Sequence, residues 1–282
     1  MNIVKTNFLT ADQTDAVLNL QKIVSEFDKT QDKVWLSNEI NIDKNMPSFF
    51  MAYEHNTLAG FLTVFMPGKL LPEITAFTRP DYRQKGVFTK LLNEANEILR
   101  GYGVKEILFV VNNDSESGKL VIEKKQNTYS HTEARMVCDA AQKFQSALTF
   151  VPCAKNNVKV FAKIQMAVFN DKKSDYDFSD SLLNNPDREG YIAYLDKTAI
   201  GAFGLYFDKA ADEVFLYGVG VMERYRGRGY GKQMLMFAQN IGLRRQSKVV
   251  LDVNVQNDTA LNLYLKAGFS PIYKMNYFKH KI

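Results

Sequence analysis

The stretch Glu213–Gly231, EVFLYGVGVMERYRGRGYG, decides how this chain is read. Its first part, Glu213–Val221, is rich in β-branched and aromatic residues and predicts a strand. The strand runs into Arg226-Gly227-Arg228-Gly229-Tyr230-Gly231. Beyond it, Tyr230, Met234, Phe237, Ala238 and Ile241 recur at helical spacing. The alternating glycines permit positive φ and let a ligand come close to the backbone. The first amides of the helix have no partner within it and stand at the positive end of its dipole. Strand, glycine loop and helix start thus form a seat for phosphate or diphosphate. Arg224, Arg226, Arg228 and Lys232 add local positive charge. The glycine spacing fits neither G-x-x-x-x-G-K-[ST] nor a G-x-G-x-x-G dinucleotide fingerprint.

Downstream, Val249–Val255 predicts a buried strand, and Asn257–Ala267 a short helix with Ala260, Leu263, Tyr264 and Ala267 on one face and Gly268 as its stop. Together, Arg226, Gly229 and Gly231, then Leu251, Val253, Asn257, Ala260, Leu263, Tyr264, Gly268 and Phe269, resemble the GCN5-related N-acetyltransferases (GNAT). The resemblance covers about 213–270. It implies an α/β fold with a mixed, splayed central sheet flanked by helices, and acetyl-CoA as co-substrate without a metal. By the same resemblance, Arg226, Gly227, Arg228, Gly229, Tyr230, Gly231 and Lys232 hold the diphosphate. The backbone at Val219 and Val221 holds the pantetheine arm, and Asn257 contacts the cofactor. Tyr264 protonates the departing thiolate. The chemistry suits these residue types. An amine attacks the thioester carbonyl, a backbone amide near Val219 polarises it, and a phenol of pKa about 10 donates to sulfur. Glu213 and Asp252 are the candidate general bases, directly or through water. Either is equally readable as a salt-bridged carboxylate, with water alone as the base.

Working outward, the chain repeats itself. MAYEHNTLAGFLTVF from Met51 matches IAYLDKTAIGAFGLYF from Ile192, with Tyr53 to Tyr194 and Gly60 to Gly201 at an offset of 141. Tyr82-Arg83-Gln84-Lys85-Gly86 matches Tyr225-Arg226-Gly227-Arg228-Gly229 at an offset of 143. Two tandem copies follow, about 1–140 and 141–282. Each predicts an early helix (Thr14–Phe27, Asn156–Phe169), a strand hairpin, a third strand, the loop, a helix and a buried strand. The first copy departs where the chemistry lies. At the 143 offset Gly231 becomes Phe88, Asn257 becomes Asp114, Tyr264 becomes Val121, and Gly268-Phe269 becomes Lys125-Gln126. The first copy therefore reads as catalytically silent, with a second acetyl-CoA site of other residues as the alternative.

Composition bounds the rest. The chain has 282 residues with 46% hydrophobic and 24% charged, which excludes collagen-like, disulfide-framework and mainly disordered classes. A net charge of +5 does not argue for nucleic acid or an anionic membrane as the main partner. Cys138 and Cys153 have no His partner nearby in sequence, which disfavours a covalent thiol step, and His55, His131 and His280 lack metal-ligand spacing. Without a signal-peptide pattern or a 20-residue apolar run, the expected compartment is the cytoplasm. Asp171–Asp180 reads as a solvated loop near the acceptor entrance. The reading is an N-acetyltransferase acting by direct attack in a ternary complex on a small-molecule or peptide amine. The alternatives are another acyl-CoA, or a non-catalytic acetyl-CoA-binding module. Acceptor and oligomeric state are open.

Overall fold

The computed structural model describes residues 1–31, 33–68, 71–124, 127–143, 145–169, 182–209 and 211–282. Asp171–Asp180 and the pair Lys125-Gln126 lie outside the described residues. By contacts the chain divides into two units, Met1–Thr132 with Tyr273–Ile282, and Glu133–Ile272. The chain therefore crosses between units twice, where the sequence repeat suggested one boundary near residue 140.

In the first unit the strands run β1 (Asn2–Thr6), β2 (Phe49–Glu54), β3 (Thr57–Phe65), β4 (Glu73–Thr78) and β5 (Glu106–Asn112). The chain's last strand, β12 (Ser270–Lys281), closes this sheet. It pairs antiparallel with β5 from Met275↔Asn112 to Lys281↔Glu106. Alternation along β2 shows how the sheet is covered. Phe50 and Ala52 join the apolar cluster of α2 (Val87–Gly101), whereas Phe49 and Met51 join that of α1 (Ala11–Asp28). α1 starts three residues before the expected Thr14 because Thr10 and Gln13 form a reciprocal capping box. α2 follows the expected stripe, with Leu91, Leu92, Ala95 and Leu99 buried. α3 (Glu116–Lys124) follows β5.

In the second unit the sheet order is β6 (Thr128–Cys138), β11 (Lys248–Asn254), β10 (Glu213–Val221), β9 (Thr198–Asp208), β8 (Arg188–Leu195) and β7 (Thr149–Pro152). The sheet is mixed, since β10 and β11 are parallel and the other pairs are antiparallel. Ile192 packs with α4 (Val158–Phe169), while its neighbours Tyr191 and Ala193 pack with α5 (Tyr230–Gly242), so these helices cover opposite faces. α6 (Asp258–Lys266) joins the α5 side through Leu263 and Tyr264. Both predicted hairpins, third strands, loops and crossover helices are present.

Candidate active site

The site grows from a sheet that opens. β10 and β11 pair only from Glu213↔Lys248 to Phe215↔Val250. Past Phe215 the two strands keep no ladder with each other, which leaves a cleft between Tyr217–Val221 and Leu251–Val255. β10 also carries a bulge on its other side. Gly204 faces Tyr217 and Ala202 faces Gly220, so the single residue Phe203 stands opposite Gly218 and Val219. Gly218 sits at φ 60°. A bulge of this kind takes backbone groups out of the ladder and re-aims them.

At the end of β10 a short turn, Glu223–Tyr225, leads to the loop. Gly227 and Gly229 have φ of 76° and 79°, and a Cβ on either would meet no atom within 4 Å. The dihedrals, not crowding, require glycine here. Gly229 is the N-cap of α5 and no side chain caps the helix, so its first amides stay available at the positive end of the dipole. Of the expected cations, Arg226 is used by the protein itself. Its Nε donates to Val221 O at 2.9 Å and Nη2 to Val168 O at 3.5 Å, which braces the loop. Arg224 and Arg228 lie against the Tyr225 ring at 4.9 and 5.9 Å. Lys232 is exposed on the first turn of α5. A Cβ on Gly231 would come within 3.2 Å of Leu263 and 3.9 Å of Val221, so this glycine marks the point where loop, β10 and α6 meet.

Asn257 caps α6, its Oδ1 accepting from Ala260 N at 3.1 Å. About two turns on, Tyr264 is partly buried, with its ring edge-on to Phe269 at 6.0 Å. Burial raises its pKa above the ordinary phenol value. Among the described residues its hydroxyl takes no hydrogen bond. Val219, Val221, Tyr230, Leu263 and Tyr264 all rim the same apolar cluster. The structure thus brings together the bulge, the loop, the start of α5 and the phenol.

It does not bring the two carboxylates to that group in the same way. Glu213 opens β10, six residues before Val219, or roughly 20 Å along a strand. Its side chain is 7% exposed and lies 3.6 Å from both Arg135 Nη1 and Lys248 Nζ. Asp252 accepts from the same Arg135 through two bonds of 2.7 and 2.9 Å. Leu251 and Val253 face the α5 cluster, so Asp252 points to the other face of the sheet. Arg135, on β6, was not visible as a site residue because 117 positions separate it from Asp252. The bulge did leave a trace in the sequence, as the change of repeat offset from 141 to 143. One of these residues lies in the β9–β10 turn and the other is the bulge, since β4 pairs with β3 without a break from Gly60↔Thr78 to Phe65↔Glu73.

The first unit keeps the opening and differs in the residues around it. β4 and β5 pair only at Glu73↔Leu108 and Ile74↔Phe109. Beyond them lies a cavity of about 360 Å³ lined by Thr75, Thr78, Phe88, Phe109, Asn112 and Val121, among others. Gln84 and Gly86, at φ 60° and 77°, shape the loop, and Gly86 caps α2 with no side-chain bond. Arg83 donates to Thr78 O at 3.2 Å, as Arg226 does to Val221 O, but also makes two 2.7 Å bonds to Asp28. Phe88 lies against Phe109 at 6.0 Å.

Elsewhere, burial pushes the Cys153 thiol up to about 11 and raises that of Cys138, so both are protonated at neutral pH. Among the described residues no group of three His, Cys, Asp or Glu could hold a metal ion, and no helix is long and apolar enough to cross a membrane.

The profile of the acetyltransferase (GNAT) family matches residues 14–120 and again 155–269. An uncharacterized N-acetyltransferase of Shouchella clausii is 38% identical over 72 residues, 26% of this chain and 39% of that protein. N-alpha-acetyltransferase 50 of Danio rerio is 28% identical over 129 residues, 44% of this chain and 76% of its own. The chain thus spans about two-fifths of the Shouchella relative and three-quarters of the zebrafish one. Among solved structures, a GCN5-related N-acetyltransferase of Sphaerobacter thermophilus superposes with a TM-score of 0.78 at 15% identity, covering 99% of this chain and 95% of that one. A tandem GNAT protein from the clavulanic acid biosynthesis pathway gives 0.66 at 12% identity, covering 99% and 98%. These two establish likeness of fold. The family profile covers well over half of the residues, and the chain belongs to the acetyltransferase (GNAT) family, with two copies of its fold in tandem.

Proposed function

We propose that the second unit transfers an acetyl group from acetyl-CoA to an amine in a ternary complex, and that the first unit does not catalyse transfer. The observation that carries this is the convergence, around one apolar cluster of the second unit, of an uncapped helix start, a bulged strand and a phenol that takes no hydrogen bond among the described residues. The fit to acetyl-CoA is chemical. The amides of Tyr230, Gly231 and Lys232 suit a diphosphate, and the space beside Gly227 and Gly229 is open. The edge of β10 beyond Phe215 suits the amides of a pantetheine arm. Bound there, acetyl-CoA supplies an activated acyl group.

The chain's own groups then have defined tasks. The Val219 amide donates a hydrogen bond to the thioester oxygen as negative charge develops on it. The nitrogen–carbon bond forms and the carbon–sulfur bond breaks. Tyr264 gives its proton to the leaving sulfur, and a raised pKa keeps that proton on the phenol until needed. The proton of the amine leaves through water. Glu213 and Asp252 are held by Arg135, Glu213 at the far end of β10 and Asp252 on the other face of the sheet, so we assign both to the framework.

The first unit's cavity can seat a ligand of the same class, because its loop has the same dihedrals. It lacks the bulge and the phenol, so such a ligand would not react. A thiol-release assay with acetyl-CoA and an amine panel tests the proposal. Peptide N-termini belong in the panel, given the name of the zebrafish relative. Thiol release with no amine above the buffer rate, with acetyl-CoA bound, would favour the non-catalytic module.

A further inference from the structure

Gln165, on the last turns of α4, ties that helix to the bulge. Its Nε2 donates to Gly218 O at 2.8 Å. Gly218 is at φ 60°, and a Cβ there would lie 2.7 Å from Gln165 Oε1. Gly220, two residues on, is in such close contact with Val168 that a Cβ would overlap its side chain. Arg226 reaches Val168 O from the loop. The end of α4 is therefore fastened to the bulged segment on both sides of Val219. A peptide plane has two ends: fixing the Gly218 carbonyl fixes the amide that follows it, because C=O of Gly218 and N–H of Val219 belong to one planar unit. Held on one side by Gln165, the carbonyl points toward α4 and the Val219 N–H points the opposite way.

The other copy gives an internal control. At the 141 offset that relates Tyr53 to Tyr194, the buried helix residues Val17 and Leu20 correspond to Val158 and Phe161, and Val24 corresponds to Gln165. Val24 is 5% exposed and packs in an apolar cluster with Phe77, the counterpart of Gly220. β4 has no bulge, and Val24, at the related position of α1, carries no amide to hold one. Bulge and glutamine occur together or not at all.

We infer that Gln165 is a positioning residue for acyl transfer: it locks the Gly218–Val219 peptide so that the Val219 N–H is aimed at the thioester oxygen. The inference rests on the proposed acetyl-CoA reaction of this cleft. It asks more of one side chain than packing.

The test uses the full chain and acetyl-CoA labelled with ¹³C at the carbonyl. In the native protein, a hydrogen bond from Val219 shifts the bound carbonyl stretch to lower frequency than in solution. Gln165→Met keeps the volume and removes the amide. It should bind acetyl-CoA within about threefold of native and return the carbonyl band toward its solution position. It should lower kcat on the order of tenfold, less than outright loss of an oxyanion donor. Gln165→Glu keeps the shape and guards against a folding failure. Its carboxylate repels Gly218 O when ionised and donates to it when protonated, so kcat should recover as pH falls, relative to native. An unmoved carbonyl band in Gln165→Met overturns the inference, even where kcat and melting temperature fall together, since that pattern is packing alone. Failure of native protein to bind acetyl-CoA would instead overturn the proposed function first.

Discussion

The loop that opens α2 and the loop that opens α5 have nearly the same backbone. Gln84 and Gly86 stand at φ 60° and 77°, Gly227 and Gly229 at 76° and 79°. Around these loops the two units diverge. The second has a bulged strand, a glycine facing Leu263 and a tyrosine on the following helix. The first has an unbroken strand, a phenylalanine and a valine at the related positions. On the proposed function, the difference teaches that anion seat and reaction site are separable in this fold. A glycine loop and a helix start survive as long as the turn must be made, because their dihedrals also serve folding. The groups that polarise a carbonyl or give up a proton have no such second use, and their loss costs the fold little.

The sharpest way to break this comparison is a matched pair of substitutions at the two N-caps. Gly229→Glu places a Cβ at φ 79° and a carboxylate in the anion seat. Left-handed strain and charge repulsion together should weaken acetyl-CoA binding at the catalytic cleft by ~100-fold or more and abolish measurable turnover. Gly86→Glu carries the same insult and, on the proposal that the first unit does not catalyse, should leave turnover within about twofold. Calorimetry and steady-state kinetics on both variants decide the matter. Loss of turnover in Gly86→Glu, with native thermal stability, would reverse the assignment.

Tyr264→Phe comes next. Removing a general acid costs roughly 10²–10⁴ in rate, so kcat should fall about 100-fold with acetyl-CoA affinity unchanged. The sign of the pH effect is fixed by the acid role. The phenol works only while protonated, and burial raises its pKa. Native activity should therefore hold through pH 10 and decline above the raised value, and the Tyr264→Phe profile should lack that alkaline limb. Val121→Tyr in the first unit should not confer activity, because no bulge faces it.

Much of this comparison was legible in the residues. Periodicity gave α2 and α5, because a stripe such as Leu91, Leu92, Ala95 and Leu99 has one burial solution. Gly229 and Asn257 announced their helix starts by chemistry that is local. What the sequence hid was non-local. β6 and β12 follow closely on the third and sixth helices, and nothing local says that β6 pairs with β11 while β12 pairs with β5. Register is decided by partners, not by the strand itself. The role of Arg135 was hidden for the same reason, and with it the ion pairs on which we assign Glu213 and Asp252 to the framework.

The trade of strands gives a third test, on stability. Deleting Tyr273–Ile282 removes material from the C-terminus, yet it strips β12 from the first unit and bares β5 from Glu106 to Asn112. Tyr277, 8% exposed, and Phe278 leave with it. The apolar loss alone is roughly 2–4 kcal/mol. Limited proteolysis should cut within 1–132 first and spare 133–272. Preferential cutting of the second unit would mean that β12 stabilises that unit and not the first.

The smallest effect expected is also the one that best separates framework from chemistry. Arg83 and Asp28 are 22% and 10% exposed, and Asp28 accepts from Ser117 Oγ at 3.2 Å as well. Arg83→Met leaves a half-buried carboxylate with one hydroxyl donor. A pair this accessible is partly screened, so the loss is about 1–2 kcal/mol, less than for a fully buried pair. Arg135→Met in the second unit should cost somewhat more, since it removes two bonds from Asp252 and one charge contact from the more buried Glu213. Urea unfolding measures both losses. Turnover, assayed well below the transition, should be unchanged in Arg83→Met and reduced less than threefold in Arg135→Met if, as proposed, neither carboxylate takes a proton from the amine. A drop of 100-fold in Arg135→Met that Asp252→Asn reproduces would restore Asp252 as the base. The acetyl transfer would then use a carboxylate whose ion pair tunes it, not one that the ion pair has retired.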